Sequence, residues 1–310
     1  MRTVYFTSVG RLPPKGTCLS AANGESWPEF GDIDLFEHMQ EDKRGMDIHP
    51  HSEISILGQV ASEIIHVVVA LYDRNNTSAF LAAIAGSSIP DGFRIKVYLA
   101  NNDPRRSDSL KFNARLHSSS YVSFNVEDMS RNLHGFSRFL LVRSLLRRDK
   151  AMNYVIFLDD DQYLLRNSLF TLWSQKVPRS IVSWYGKCWN AKVRSLSYWQ
   201  PKHGMSAVLT KSKHPRFWHY AGTGFSVIDT RIFQDERIFD IPHDYMFVED
   251  LWLSYVLGLN NWSLRRAFVD LDIDSARNKM GQWSSMHELK ETMFQHLVRC
   301  RHPLKLASPC

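Results

Sequence analysis

The sequence predicts a doubly wound α/β domain, a mostly parallel central sheet flanked by helices. Three observations carry this. Apolar runs rich in β-branched residues alternate with helical stretches in units of about 30 residues, the rhythm of strand, crossover helix and parallel strand. The 310 residues are enough for one large domain or two small ones. With 44% hydrophobic and 23% charged residues, 15 Gly and 12 Pro, the chain has the balance of a globular protein, which excludes disorder and collagen-like repeats.

Residues 1–62 carry turn formers (Pro13-Pro14, Gly16, Asn23-Gly24, Pro28, Gly31) and a charged patch at 41–44, and read as an irregular extension with one short strand at Thr3–Thr7. Regular structure starts at Ile64. The run IIHVVVALY predicts a strand, Thr77–Ala85 a helix, and Phe93–Leu99 a second strand ending at Asn101-Asn102-Asp103. A helix over Ser107–Leu116 and a short strand over Tyr121–Phe124 follow. Leu133, Phe136, Phe139/Leu140 and Leu145/Leu146 recur at helical spacing, so Leu133–Arg148 reads as one amphipathic helix. Tyr154–Leu158 is a short apolar run suited to a strand covered on both faces. It ends in three consecutive carboxylates, Asp159, Asp160 and Asp161.

Charge and cysteine usage bound the setting. Lys and Arg total 38 against 32 Asp and Glu, a net charge of +6 that fits a phosphate-rich partner without choosing one. No nucleic-acid-binding motif supports the nucleic-acid option. The four cysteines (Cys18, Cys188, Cys300, Cys310) are scattered, form no zinc pattern and suit a reducing compartment. No apolar core for a secretion signal and no run of about 20 apolar residues for a membrane helix is visible. A soluble cytoplasmic protein is expected, with peripheral membrane contact left open.

The triplet at the mouth of a buried strand demands compensation. Adjacent carboxylates repel one another and resist desolvation, and a divalent cation relieves both costs. Oxygen donors of this kind favour Mg²⁺ or Mn²⁺, with Mg²⁺ held by one or two carboxylates plus the substrate's phosphates. If the strand geometry continues, Asp159 and Asp161 point one way and Asp160 the other. A solvated acidic turn is the competing reading. Further on, Trp252, Tyr255, Val256 and Leu259 fall at helical spacing, which puts Glu249 and Asp250 in a first helical turn, where the helix dipole favours carboxylates whatever their function.

These segments resemble a family. NYVIFLDDDQYL, preceded by LHGFSRFLLVRSLL, looks like the nucleotide-binding half of a GT-A-fold glycosyltransferase with its DxD motif. VVVALYDRNN is similar to the first strand and turn of the family-2-like members. HYAGTGFSVIDTRIF and FVEDLWLSYVLGLNNW resemble the acceptor side. The resemblance spans roughly residues 65–265 and implies a GT-A domain over 63–298, a Rossmann-like, mostly parallel central sheet flanked by helices with a smaller acceptor-side sheet, divided into a nucleotide-sugar half (63–161) and an acceptor half (162–298) and followed by a basic tail at 299–310. It implies Tyr72, Asp73 and Asp103 near the base and ribose of a UDP- or GDP-sugar, and Arg138 near the diphosphate. Asp159, Asp160 and Asp161 would serve donor and metal. Asp250 would be the general base of an inverting transfer, with Glu249 as the alternative or as an acceptor residue.

The acceptor, a glycan or glycoconjugate, would meet Gly222, Thr223 and Gly224 together with Trp184 and Trp189. Eight of the nine tryptophans lie after residue 170, and aromatic faces stack on sugars as readily as they fill cores. His287, on a late amphipathic helix, is a metal-ligand candidate by the same resemblance. A retaining enzyme of this fold and a catalytically silent carbohydrate-binding protein stay as alternatives. An aspartate-nucleophile phosphatase fits poorly, because Gln162-Tyr163 follows the triplet. A nucleotidylyltransferase would need a Gly-rich basic loop after the first strand, where YDRNNTSAF stands.

Overall fold

The computed structural model describes residues 63–72, 77–189, 197–200, 203–204, 217–269, 271–273 and 282–299. The expected extension at 1–62 with its strand at Thr3–Thr7, the candidate Asp73, and the tail from residue 300 lie outside the described residues.

In chain order the strands are β1 (Glu63–Leu71), β2 (Phe93–Asn101), β3 (Val122–Asp128), β4 (Tyr154–Asp159), β5 (Gln162–Leu164), β6 (Ser180–Ser183), β7 (Gly186–Cys188), β8 (His203–Gly204), β9 (Tyr220–Ala221), β10 (Phe225–Asp229), β11 (Ser263–Arg266) and β12 (Leu271–Ile273). The helices are α1 (Thr77–Ala85), α2 (Ser107–His117), α3 (Ser137–Arg148), α4 (Ser168–Trp173), α5 (Glu249–Leu259) and α6 (Gln282–Arg299). Seven strands form the central sheet in the order β11-β6-β10-β4-β1-β2-β3, and β12-β5 and β8-β7-β9 form two small sheets. The α/β class and the mostly parallel central sheet match the architecture expected above, and there are two small sheets where the resemblance implied one.

Side-chain alternation explains why this sheet is buried on both faces. In β4, Val155 and Phe157 enter one core while Ile156 and Leu158 enter the other; in β1, Val68 faces the first core and Val67 and Val69 the second. Each such side chain removed from water contributes about 1.5–3 kcal/mol. Within the sheet β10 alone runs antiparallel, bonded to β4 on one side and β6 on the other. The carboxyl ends of β1, β2, β4, β6 and β11 therefore share one edge, and the amino end of β10 arrives at that same edge. The bond from Asp159 N to Gly224 O, at 2.6 Å, marks the meeting point.

Three local readings change. The single helix expected over Leu133–Arg148 is a 3₁₀ turn at His134–Phe136 followed by α3. Asn102 holds this junction: its side chain accepts from Leu133 N (3.0 Å) and donates to His134 O and Ser137 Oγ (both 3.1 Å), so the His134 carbonyl that a continuous helix would use is shared with a distant side chain. His134 takes φ 53° at this junction. Strand β4 ends at Asp159, and Asp160 and Asp161 form a turn before β5, so strand alternation does not pair Asp159 with Asp161. Cys188 is disulfide-bonded, a pairing that the scattered cysteines do not announce in the sequence. No helix among the described residues is long and apolar enough to cross a membrane.

Candidate active site

At the shared sheet edge, Arg138 joins the two acidic motifs. It enters from the first turn of α3 and is 4% exposed. Its Nε donates to Gly135 O (3.1 Å), Nη1 to Thr223 O (3.1 Å) and Nη2 to Asp159 Oδ1 (2.8 Å). The same Nη2 lies 3.7 Å from Glu249 Oε1. Burial alone would lower the Arg138 pKa, but the Asp159 and Glu249 carboxylates outweigh it and the net direction is up. The expectation had Arg138 near a diphosphate; its hydrogen bonds go to protein groups that stand at that end of the sheet.

Two glycines make this convergence possible. A Cβ at Gly135 would collide with the Glu249 carboxylate, and one at Gly224 with the Asp159 carboxylate and the Gln162 amide. At Gly222 a Cβ would come within 2.7 Å of the Tyr185 ring. Thr223, between the last two, donates from Oγ1 to Glu249 Oε1 at 3.3 Å. The segment Gly222-Thr223-Gly224 is thus threaded between the acidic motifs, which is the close-approach use of strand glycines.

Glu249 and Asp250 open α5, as their position in the sequence predicts, yet their environments differ. Glu249 is 5% exposed, and burial, opposed by Arg138 and reinforced by Asp250 and Asp159, pushes its carboxyl up to about 7. Asp250 is more open, at 14% side-chain exposure. Its Oδ1 accepts from Leu251 N (2.8 Å), while Oδ2 accepts from the Tyr220 hydroxyl and from Lys290 Nζ (3.1 Å). The helix-end role therefore accounts for one oxygen of Asp250 and leaves the other to distant partners.

Around Asp250 stands an aromatic and cationic shell, of which Tyr220 and Lys290 carry no signal in the sequence. The hydroxyl of Tyr198 is hydrogen-bonded to those of Tyr220 and Tyr185, and burial drives all three phenols upward. Lys187 donates to Tyr198 O (2.9 Å) with its ammonium 3.4 Å from the centre of the Tyr198 ring and 4.5 Å from that of Trp199. Burial, then the charge of Lys290, pulls Lys187 down to about 7. Only tertiary packing brings α6 to β9, and a lysine on an amphipathic helix gives no sequence signal of such a role.

The nucleotide-side expectations divide. Tyr72, just past β1, lines a cavity with Leu71, Thr77, Asn101, Arg106, Ser109 and Leu110 at the carboxyl ends of β1 and β2. Asp103 is buried and paired with Arg105 (2.7 Å), with Arg106 at 3.5 Å; the Arg105 hydrogen bond leads in holding its carboxyl below the usual range. Asn101 donates to Asp128 Oδ1 at 2.7 Å, so this asparagine, like Asn102, stitches the fold.

Trp184 and Trp189 are core residues, at 3% and 2% exposure. Trp173, Trp218, Trp252 and Trp262 are buried as well. These six tryptophans of the second half thus pack the two cores rather than lining a sugar surface. Among the described tryptophans Trp199 is half-buried, and its ring stacks on His287 at 3.9 Å.

Asp159 keeps 40% of its side chain exposed, Asp161 is half-buried, and Gln162 leaves a buried Oε1 without a partner beside them. No group of three or more His, Cys, Asp or Glu close enough to hold a metal ion occurs among the described residues. A hard cation bound by one or two carboxylates and completed by phosphate oxygens does not need such a group. The oxygen-only donors here fit that chemistry.

No protein-family model matches the sequence, and no curated protein matches it either. Among solved structures the chain is similar to S. aureus TarS, at 14% identity and a TM-score of 0.46 over 67% of this chain and 36% of that one. S. aureus TarS 1-349 in complex with UDP gives 14% identity and a TM-score of 0.40 over 67% and 59%. GalNAc-T7 with UDP, GalNAc and Mn²⁺ gives 11% and 0.46 over 67% and 43%. The chain thus spans 36–59% of the length of these structures.

Proposed function

We propose that this protein is a glycosyltransferase that moves a sugar from a nucleotide-diphosphate sugar to a hydroxyl of a glycan or glycoconjugate, with inversion. One observation carries the reading: the Arg138 guanidinium bonds Asp159 at the end of β4 and reaches Glu249 at the start of α5, so the acidic triplet and the acidic pair belong to one site. Ligands of open α/β sheets bind beyond the carboxyl ends of the strands, and the Tyr72-lined cavity at that edge suits the base or ribose. The net charge of +6 suits an anionic donor.

In the transfer, an acceptor hydroxyl oxygen attacks the anomeric carbon while the bond from that carbon to the phosphate oxygen breaks, and its electron pair leaves with the nucleoside diphosphate. Asp250, the more exposed carboxylate of the pair, takes the hydroxyl proton. Glu249 is the second candidate for proton transfer, since a carboxyl near neutrality is matched to such work. Mg²⁺ or Mn²⁺ held by Asp159 and Asp161 would offset the charge of the diphosphate. Arg138 keeps Asp159 and Glu249 in register.

The test is a panel of UDP- and GDP-sugars scored by thermal stabilisation with and without Mn²⁺. A ligand at about 100 times its Kd adds about 2.7 kcal/mol to the native state. Asp250→Asn should lower transfer by roughly 10²–10⁴-fold, the usual worth of a positioned base, and leave the donor-induced stabilisation intact. Failure of every donor to stabilise the protein would sink the enzyme reading; loss of donor binding in D250N would remove Asp250 from the base role.

A further inference from the structure

We propose that Lys290, on the carboxyl-terminal helix α6, is a positioning residue for Asp250: together with Tyr220 it fixes the orientation of the carboxylate, which makes α6 a working part of the site. The inference rests on reading Asp250 as the base.

Three elements far apart in sequence meet at one oxygen. Asp250 comes from α5, Tyr220 from β9 and Lys290 from α6, and Oδ2 accepts from both partners. With Oδ1 bound to Leu251 N, the carboxylate is gripped on both oxygens and its rotation is blocked. The pair is largely sequestered, Lys290 at 12% and Asp250 at 14% side-chain exposure, so removing either partner strands a charge in poor solvent.

The other groups facing Asp250 do not do this work. Glu249 is its neighbour on α5 and repels it. Arg138 bonds Asp159 and reaches Glu249, and Lys187 bonds Tyr198 O, so both cations act on Asp250 only at a distance. Tyr198 bonds to both Tyr185 and Tyr220. Among the described residues Lys290 is the cation in hydrogen-bond contact with Asp250.

Lys290 is itself held. Its ammonium lies 5.6 and 6.0 Å from the ring centres of Tyr198 and Tyr220. The helix around it is laced to residues 197–199: Trp199 Nε1 donates to His287 O (3.1 Å), and Glu291 Oε2 accepts from Ser197 Oγ (2.8 Å) and Tyr198 N (3.0 Å). Burial works against the ammonium, but Asp250, first among the charges, keeps its pKa above the usual lysine value.

The experiment has two arms on the full chain. In a thermal-melting cycle without substrate, Lys290→Gln and Asp250→Asn should be coupled, the double variant melting close to the single ones. In transfer assays with the donor chosen by the panel, K290Q should lower kcat on the order of 10²-fold, the cost of a misplaced reacting group, with the donor KM unchanged. Lys290→Arg, which keeps the charge, should recover most of the rate. Additive melting shifts overturn the proposal. So does coupling with parental turnover in K290Q, which would leave the pair a purely structural contact. A parent protein that transfers no sugar strikes the glycosyltransferase reading and this role with it, while the melting cycle still reports whether the pair forms.

Discussion

The two ends of the candidate site are built in opposite ways. On the nucleotide side, the charged partners of the candidate Asp103 are local: Arg105 stands two residues on and is 79% exposed. On the acceptor side the partners act at long range and in burial. Arg138 bonds Thr223 across 85 residues, Asp250 takes Tyr220 across 30 and Lys290 across 40. A motif supported by its own neighbours can be recognised as a string. A motif supported by distant elements shows its chemistry only once those elements are assembled.

Substitutions at the two ends should differ accordingly. The largest effect is expected at Arg138. Replacing it by Met leaves the Asp159 and Glu249 carboxylates facing each other without their shared cation, and losing one partner of a buried pair costs about 3–5 kcal/mol. Urea unfolding of R138M should show a midpoint well below that of the parent. An unchanged midpoint would mean that the bridge between the acidic motifs is dispensable.

A smaller effect belongs to Glu249 and has a definite sign. Its folded pKa, near 7, lies above the unfolded value of 4.5. Its contribution is therefore fully present below pH 4.5 and is lost as pH rises through about 7, because the unfolded chain ionises first. A shift of this size corresponds to on the order of 3 kcal/mol. Glu249→Gln should flatten the fall of stability between pH 4.5 and 7; parallel pH profiles for the variant and the parent would contradict the burial argument.

The smallest effect is expected on the nucleotide side. Asp103→Asn weakens an ion pair whose partner is in solvent, and such pairs are worth at most about 1 kcal/mol. If D103N destabilised the protein as much as R138M, the contrast between local and long-range support would collapse. Should it instead spare stability and weaken donor stabilisation, Asp103 would regain its expected place near the ribose.

Much of the fold was legible because burial on both sheet faces writes itself into the chain as apolar runs. IIHVVVALY and YVIFL became β1 and β4, and Thr77–Ala85 became α1 with the bounds expected. The Leu133–Arg148 helix was misread because periodicity registers apolar faces and is blind to a side chain such as Asn102, 31 residues earlier, that competes for the backbone. Tryptophans invited a similar error. Composition shows how many there are, while their exposure depends on which layers they separate.

By itself the sequence determined the α/β alternation, the placement of Asp159 at a strand end and the position of Glu249 and Asp250 in a first helical turn, because hydrophobic periodicity and turn chemistry act over a few residues. Tertiary structure alone decided that one guanidinium joins the two acidic motifs, that Gly135 and Gly224 clear space for carboxylates, and that a lysine from the last described helix closes on Asp250. Those contacts depend on antiparallel β10 and on α6 packing at the same sheet edge, and their physical basis is desolvation. A buried charge must find a partner, and the assembled fold decides which one lies within reach.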